Sequence, residues 1–251
     1  MSATSAKPPR LPAMAQNYGL LASPPPLRVV VARTFVSCAL AMRAQIDRHA
    51  DAGAALAITM LTRAWLAEHR FDAALDAEEA TALAAPPGSL DATSLERFTL
   101  LGEALGVFAW ALRRQPLPPP DQAIDAADTA AALGFLHADG AALATGARLR
   151  DREATARYAD IAGALHWRAR NQIVAPGSIV MSRWRSDAHE WPEDVTAAQF
   201  VDADLAAHGR AITSLGNDEL LPLLQRCAER HRAALWLLGQ QRDYWQVAAQ
   251  L

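Results

Sequence analysis

The stretch from residue 93 to residue 112 predicts a helix that is apolar around most of its circumference. Large apolar side chains recur along one side at helical spacing: Phe98, Leu101, Leu105, Phe108 and Leu112. Leu100 and Val107 widen this apolar surface, and the narrow remaining side holds small residues around Glu103. Such a helix is stable only when other elements cover nearly all of it. We therefore expect it to lie at the centre of a helical fold.

The same helical periodicity recurs through most of the chain, whereas the alternating pattern of strands is nearly absent. Six further helices are predicted, over residues 31–46, 56–70, 76–85, 121–136, 149–170 and 217–238. Capping boxes are predicted at Thr93 with Glu96 and at Asp76 with Glu79. Residues 137–146 are predicted to form a turn. The predicted fold class is therefore all-α, a single globular multi-helix domain.

Two segments lack helical periodicity. Residues 1–26 are rich in Pro, Ala and Ser and predict a disordered tail, which leaves residues 27–251 as the helical domain. Residues 171–196 predict a long irregular connection that carries Trp184 and Trp191 among charged residues. Long connections often carry function, and tryptophan is enriched in binding surfaces. We therefore take Trp184 and Trp191 as candidate binding residues.

Charge and cysteine content exclude several classes of protein. The formal net charge is −3, so the chain has no positive excess that would attract nucleic acid. Cys38 and Cys227 both fall on apolar stripes, which indicates free thiols in a reducing compartment and favours the cytoplasm. No apolar run reaches the length of a membrane span, so no membrane association is expected.

The sequence also lacks the motifs of metal, covalent and cofactor chemistry. No histidine follows a glutamate at the spacing of di-iron ligands, and neither His-Glu-x-x-His nor a nucleotide-binding glycine pattern occurs. Lys7 is the only lysine and lies in the predicted tail, which removes a Schiff-base lysine from the folded domain. We therefore expect no metal and no cofactor.

Ionisable residues inside helical apolar patterns are the candidates for a site. Glu103, Asp160 and Arg230 come from three separate predicted helices and together predict a buried charged cluster. Such a cluster is either a structural network that fixes helix register or an acid-base centre. His231 lies on the apolar face of the last helix and is either a hydrogen-bonded core histidine or a catalytic base.

Other charged and aromatic residues are assigned from the same patterns. Arg33 and Arg43 are predicted to face away from the apolar stripe of the first helix, and His166 toward the polar side of its helix. The tryptophans predicted to lie in the core are Trp65, Trp110, Trp167 and Trp236. The arginines at positions 148, 150, 152 and 157 predict either a solvated first helical turn or a surface for an acidic partner.

Several short blocks together resemble one protein family. The blocks are Trp65-Leu66, Glu103-Ala104-Leu105, Trp110-Ala111-Leu112, Leu149-Arg150, Asp160, Leu165-His166-Trp167, Glu229-Arg230-His231 and Trp236-Leu237. In their order and spacing, the chain resembles the domain of unknown function 4272 family, which is widespread in bacteria. The resemblance implies a bacterial protein but no activity, substrate or cofactor.

Two departures from the family pattern concern the acidic residues. Family members resemble Trp-Arg-x-Glu where this chain has Leu100-Leu101-Gly102-Glu103, and they often carry arginine at the position of Ala164. If those arginines pair with the acids, Glu103 and Asp160 need another cation in this chain. The candidate cations are Arg33, Arg43 and Arg230.

Two functions are compatible with these observations. The favoured one is a non-catalytic protein-interaction module that binds a protein partner through Trp184 and Trp191. The alternative is a small hydrolase or transferase in which Glu103 or Asp160 works with His231, polarised by Arg230. A cleft that opens these groups to solvent would favour the enzyme, whereas burial would favour a role in the architecture.

Overall fold

The computed structural model describes residues 23–49, 51–177, 200–202 and 204–247. These residues form eight α-helices, α1 (Leu27–His49), α2 (Ala52–Glu68), α3 (Ala77–Ala84), α4 (Ala92–Ala111), α5 (Ala126–Ala132), α6 (Ala138–Gly146), α7 (Arg152–Val174) and α8 (Asn217–Leu238). A small antiparallel sheet contains β1 (Phe200–Val201), β2 (Asp204–Ala207) and β3 (Arg210–Ala211). The predominance of helix confirms the all-α prediction.

Helix α4 lies at the centre of the fold, as its sequence predicts. It packs between α1 and α8, and α8 in turn packs along α7. Every residue from position 101 to position 112 is buried, and Trp110 is fully enclosed. A helix that buries this much apolar surface organises the remaining helices around itself.

Helix α1 is also a core helix. By length and composition it could cross a membrane, with a mean hydropathy of 1.4 over 18 residues, so the prediction that no run is long enough was wrong. Within the fold, however, 83% of that window is buried. The burial shows that neighbouring helices cover the apolar surface of α1, as expected for a core helix.

An aromatic cluster attaches α2 and the region after α5 to α1. The Phe35 ring lies 4.9 Å from Trp65, 5.1 Å from Phe71 and 6.0 Å from Phe135, measured between ring centroids. Edge-to-face and offset aromatic pairs of this kind add to the stabilisation from burial. Trp65, Trp110 and Trp236 are buried as predicted.

The segment from residue 121 to residue 146 differs from its prediction. Instead of one helix and a turn, it forms two short helices, α5 and α6. Asp125 caps α5 by accepting the backbone amides of Ala127 and Asp128, and the left-handed residues Gly134 and Leu136 then separate the two helices. Helix α6 is rich in alanine and glycine and buries few of its side chains, so it carries too short an apolar stripe to be recognised.

Other element boundaries are set by side chains whose role was only partly predicted. The capping box of Asp76 and Glu79 is confirmed. Helix α4, however, is capped by Asp91, which accepts the amide of Ser94, rather than by Thr93. Helix α7 runs to Val174, beyond its predicted end, and the strands after it were not predicted at all. They are only two to four residues long, which is too short for an alternating pattern to be detected.

A substitution at Gly140 tests the close packing between α6 and the turn that precedes it. A Cβ atom at Gly140 would lie 2.3 Å from the carbonyl oxygen of Gly134, a backbone atom that has little freedom to move. We expect Gly140→Ala to destabilise the fold by about 1–3 kcal/mol, which corresponds to a fall of roughly 3–10 °C in Tm.

Gly146→Ala in the same helix is the matched control. A Cβ atom there meets nothing within 4 Å, and alanine favours helix, so the Tm should stay the same or rise slightly. Thermal unfolding followed by circular dichroism measures both variants. Equal melting temperatures would show that α6 does not pack as described.

Candidate functional site

Glu103 and Arg230 form a buried ion pair between the central helix α4 and helix α8. Arg230 of α8 donates from Nε to Glu103 Oε2 of α4 at 2.8 Å, and its Nη2 lies 2.7 Å from the same oxygen. Both side chains are buried. This contact confirms that Arg230, one of the three predicted candidate cations, pairs with Glu103.

The remaining hydrogen bonds of the pair go to the proline-rich segment between α4 and α5. Arg230 donates to the carbonyls of Pro118, Pro119 and Gln122, and Glu103 Oε1 accepts the amide of Ile124 at 3.2 Å. All three guanidinium nitrogens are therefore engaged. A pair with its bonding capacity used in this way fixes a loop and leaves no donor for a substrate.

The position of Asp160 on α7 follows from helix geometry. Tyr158, which is buried, is the residue of α7 whose hydroxyl faces the Arg230 guanidinium. Asp160 is two residues further along, about 200° around the helix, and is partly exposed. Of the predicted three-residue cluster, the structure shows the pairing of Glu103 with Arg230.

His231 faces His166 across the contact between α8 and α7. Their ring centroids are 6.2 Å apart, and both side chains are buried. Burial lowers the pKa of His166 to about 4, with the charges of Arg170 and Arg232 adding to the effect. Burial, followed by the neighbouring His166, lowers the pKa of His231 to about 3. Both imidazoles are therefore neutral at pH 7.

The predicted orientation of α7 was wrong at two residues. His166 is buried, whereas Trp167 is only partly buried. The contact with α8 turns the His166 face of α7 inward, and the preference of tryptophan for the core does not outweigh the packing of the whole helix.

Arg33 and Glu79 form a second buried pair that the sequence did not predict. Arg33 donates to both carboxylate oxygens of Glu79, at 2.6 and 3.0 Å, and Trp245 Nε1 donates to Glu79 at 2.7 Å. Burial alone would raise the pKa of Glu79, but the hydrogen bonds and charge of Arg33 outweigh it and lower that pKa. The signal in the sequence was an arginine placed within the apolar run of α1.

Glu229 lies next to this pair and binds the C-terminal turn. Tyr244 donates its hydroxyl to Glu229 Oε1 at 2.5 Å, and Arg232 contacts the other carboxylate oxygen. Burial raises the pKa of Glu229, a property that general acids also have. Both carboxylate oxygens of Glu229, however, already have hydrogen-bond partners. Nearby, the Arg97 guanidinium lies 3.7 Å above the Trp245 ring. The arrangement fastens the turn that carries Tyr244 and Trp245.

Arg43 and Arg168 are buried as well. Arg43 pairs with Asp47 and donates to the carbonyls of Ala82, Ala85 and Pro86 at the end of α3. Arg168 pairs with Asp204 at 2.7 Å and so attaches the small sheet to α7. The prediction that Arg33 and Arg43 face away from the core was wrong, because each finds a carboxylate inside the fold.

The described residues contain no group of three His, Cys, Asp or Glu side chains that could hold a metal ion. Cys38 and Cys227 are free and buried, and burial raises the pKa of each thiol, that of Cys227 to about 12. Both are therefore unreactive at neutral pH. Trp184 and Trp191, the candidate binding residues, lie outside the described residues.

A family model described as "Domain of unknown function (DUF4272)" matches residues 21–180. The chain belongs to this family. No curated protein and no solved structure matches the chain. The region matched by the family model contains α1 to α7, so Glu103, Glu79 and Arg168 lie inside it, whereas their partners Arg230, Trp245 and Asp204 lie beyond it. These buried contacts attach the C-terminal part of the chain to the family region.

Removing Glu103 should leave a buried cation without its carboxylate. We expect Glu103→Ala to destabilise the fold by about 3 kcal/mol or more, as measured by urea unfolding. Glu153→Ala removes a carboxylate from the exposed Arg157–Glu153 pair and should leave the unfolding midpoint unchanged within error. An unchanged midpoint in Glu103→Ala would refute the importance of the buried pair.

Acid should also destabilise the protein through its two buried histidines. The folded pKa values of about 4 and about 3 for His166 and His231 lie below the ordinary 6.5. Between pH 7 and pH 5, the unfolded chain therefore takes up protons that the folded protein does not. The contribution of the two histidines to the free energy of unfolding is complete above pH 6.5. It falls as the pH drops toward the folded pKa values, by at most about 1.4 kcal/mol per pH unit for each histidine.

Urea unfolding at pH 7, 6 and 5 measures this slope. The double variant His166→Asn and His231→Asn should show a flatter dependence on pH, since it lacks both titrating groups. His137→Asn changes an exposed histidine and should keep the slope of the original protein. Identical slopes for all three proteins would mean that the buried histidines do not control acid stability.

Proposed function

We propose that the protein is a non-catalytic protein-interaction module of the bacterial cytoplasm and that helix α2 presents its binding surface. The observation that carries this proposal is the exposure of large apolar residues on α2. Leu56, Met60 and Leu61 are 53%, 62% and 55% exposed. Exposed apolar side chains that cluster on one face are typical of protein-binding surfaces.

The inner face of α2 supports the proposal because it fixes the helix in this orientation. Trp65 and Leu66 are buried in the core, so the outward position of Leu56 and Met60 is set by packing. Leu56 and Met60 lie one helical turn apart and present a continuous apolar strip. Ala57 and Ala64 are exposed beside it and would allow a partner backbone to approach closely.

The surroundings of α2 indicate the chemistry of the partner. Arg63 is exposed on α2 one helical turn from Met60, which favours a protein whose apolar helix or groove carries an acidic residue at its edge.

The alternative of a small hydrolase or transferase has less support. Its acid-base groups would be Glu103, Asp160 and His231, polarised by Arg230. Three of these side chains are buried, and the bonds of Glu103 and Arg230 hold a loop. The role of Trp184 and Trp191 in binding stays a prediction, as does the cytoplasmic location that the two free cysteines favour.

The proposal predicts that charges on the exposed face of α2 weaken partner binding without unfolding the protein. The test variant is Leu56→Glu with Met60→Glu. The matched control is Val174→Glu with Leu221→Glu, which changes exposed apolar residues of α7 and α8. A protein captured from native lysate is first identified and purified, and its Kd is then measured by calorimetry with each variant.

We expect the partner to bind the control with unchanged affinity and the α2 variant at least about tenfold more weakly, at equal Tm. Equal affinity for both variants would refute the α2 surface. Light scattering also measures self-association. If the original protein forms a dimer that the α2 variant does not form, a second copy covers the strip and the proposed partner is wrong.

A further inference from the structure

We infer that an arginine patch, formed where α4 ends and α7 begins, binds an acidic segment of a partner protein through its carboxylates. The patch consists of Arg113, Arg114, Arg148, Arg150, Arg152 and Arg157. It is separate from the apolar strip on α2, so it stands whether or not that strip binds a protein.

Backbone contacts bring the two groups of arginines together. The Arg150 amide donates to the carbonyl of Ala111 at 2.8 Å, and its Nε donates to the carbonyl of Trp110 at 2.8 Å. Residues 148–152 therefore lie against the last turn of α4, which Arg113 and Arg114 directly follow. The amide of Ala154 is the main cause of the lowered pKa of Asp151, and the charges of Arg157 and Arg113 both add to that effect. The two arginines therefore approach the same carboxylate.

Positive charge exceeds negative charge in this patch. Asp151 caps α7 by accepting the Ala154 amide, and Glu153 pairs with Arg157 at 2.8 Å. Beyond Arg150 and Arg157, which make contacts within the fold, the patch holds four further arginines in a chain of net charge −3. Four of the arginines, Arg113, Arg114, Arg148 and Arg152, are exposed and have no carboxylate at ion-pair distance within the described part of the chain.

The stability of the fold does not account for this arrangement. Arg148 and Arg152 lie at the start of α7, where the positive end of the helix dipole disfavours cations. Arg113 has a left-handed φ of 59° at the position after the α4 cap, where glycine is the usual residue. A ligand that carries several carboxylates would relieve the repulsion among these cations and would form bidentate hydrogen bonds with their guanidinium groups.

The surroundings favour an acidic protein segment over nucleic acid or a membrane. Trp110, the aromatic residue beneath Arg150, is fully buried and offers no face for base stacking. The described residues of the patch include no exposed large apolar side chain that would enter a lipid surface. The chain outside the patch carries an excess of acidic residues, which repels a long polyanion but accommodates a short acidic segment.

Fluorescence anisotropy with a dye-labelled 12-residue Glu/Asp peptide tests the inference. The test variant is Arg114→Ser with Arg148→Ser and Arg152→Ser. The control, Arg28→Ser with Arg170→Ser and Arg242→Ser, removes the same charge from other exposed positions. In 150 mM NaCl, we expect the peptide to bind the test variant at least about tenfold more weakly than the original protein and the control within about twofold.

Two results would overturn the inference. One is an equal loss of affinity in the test and control variants, which would mean that only net charge matters. The other is tighter binding of a single-stranded oligonucleotide or of phosphatidylserine vesicles than of the peptide, lost in the test variant. That result would assign the patch to nucleic acid or to a membrane.

Arg113→Gly separates a binding role from a structural one. Glycine adopts the left-handed conformation without strain, so the Tm should stay equal or rise while the affinity for the peptide falls. A lower Tm with unchanged affinity would mean that Arg113 serves the fold. The variant Leu56→Glu with Met60→Glu should keep full affinity for the peptide, so a failure of this inference is distinct from a failure of the α2 surface.

Discussion

A buried guanidinium destabilises a fold by several kcal/mol unless it is paired, and this requirement shapes the protein more than any other. Arg33, Arg43, Arg168 and Arg230 are all buried, and each pairs with a carboxylate inside the fold. Three of them also donate to backbone carbonyls, in the proline-rich segment, at the end of α3 and at Gly177. The buried arginines therefore hold segments that have no apolar stripe of their own.

This use of charge decides where function can lie. Glu103 and Arg230 are the acid and the cation that most resemble an active site. Their hydrogen bonds, however, position a loop. His166 and His231 are neutral because burial lowers the pKa of each. The groups that remain available to another molecule lie on the outside, and the apolar strip of α2 and the arginine patch are the two surfaces on which our proposals rest.

The sequence predicted the features that depend on local periodicity or on strong desolvation. The central position of α4, the capping box at Asp76 and the need of Glu103 for a buried cation belong to this group. Prediction from the sequence failed where an element is short or lacks an apolar stripe, as in α5, α6 and the three strands. It also failed for Arg33 and Arg43, because a guanidinium inside an apolar run is compatible with either face until its partner is known.

The sequence by itself determined that the chain forms helices, which of them lies at the centre, and that a carboxylate in that helix needs a cation. Only the tertiary structure decided that Arg230 meets this need and that Glu79 pairs with Arg33. The physical reason is that helix formation depends on neighbours a few residues away. The partner of a buried charge, in contrast, can be distant in sequence, 127 residues for Glu103 and Arg230 and 46 for Arg33 and Glu79, and its position depends on how the helices rotate as they pack.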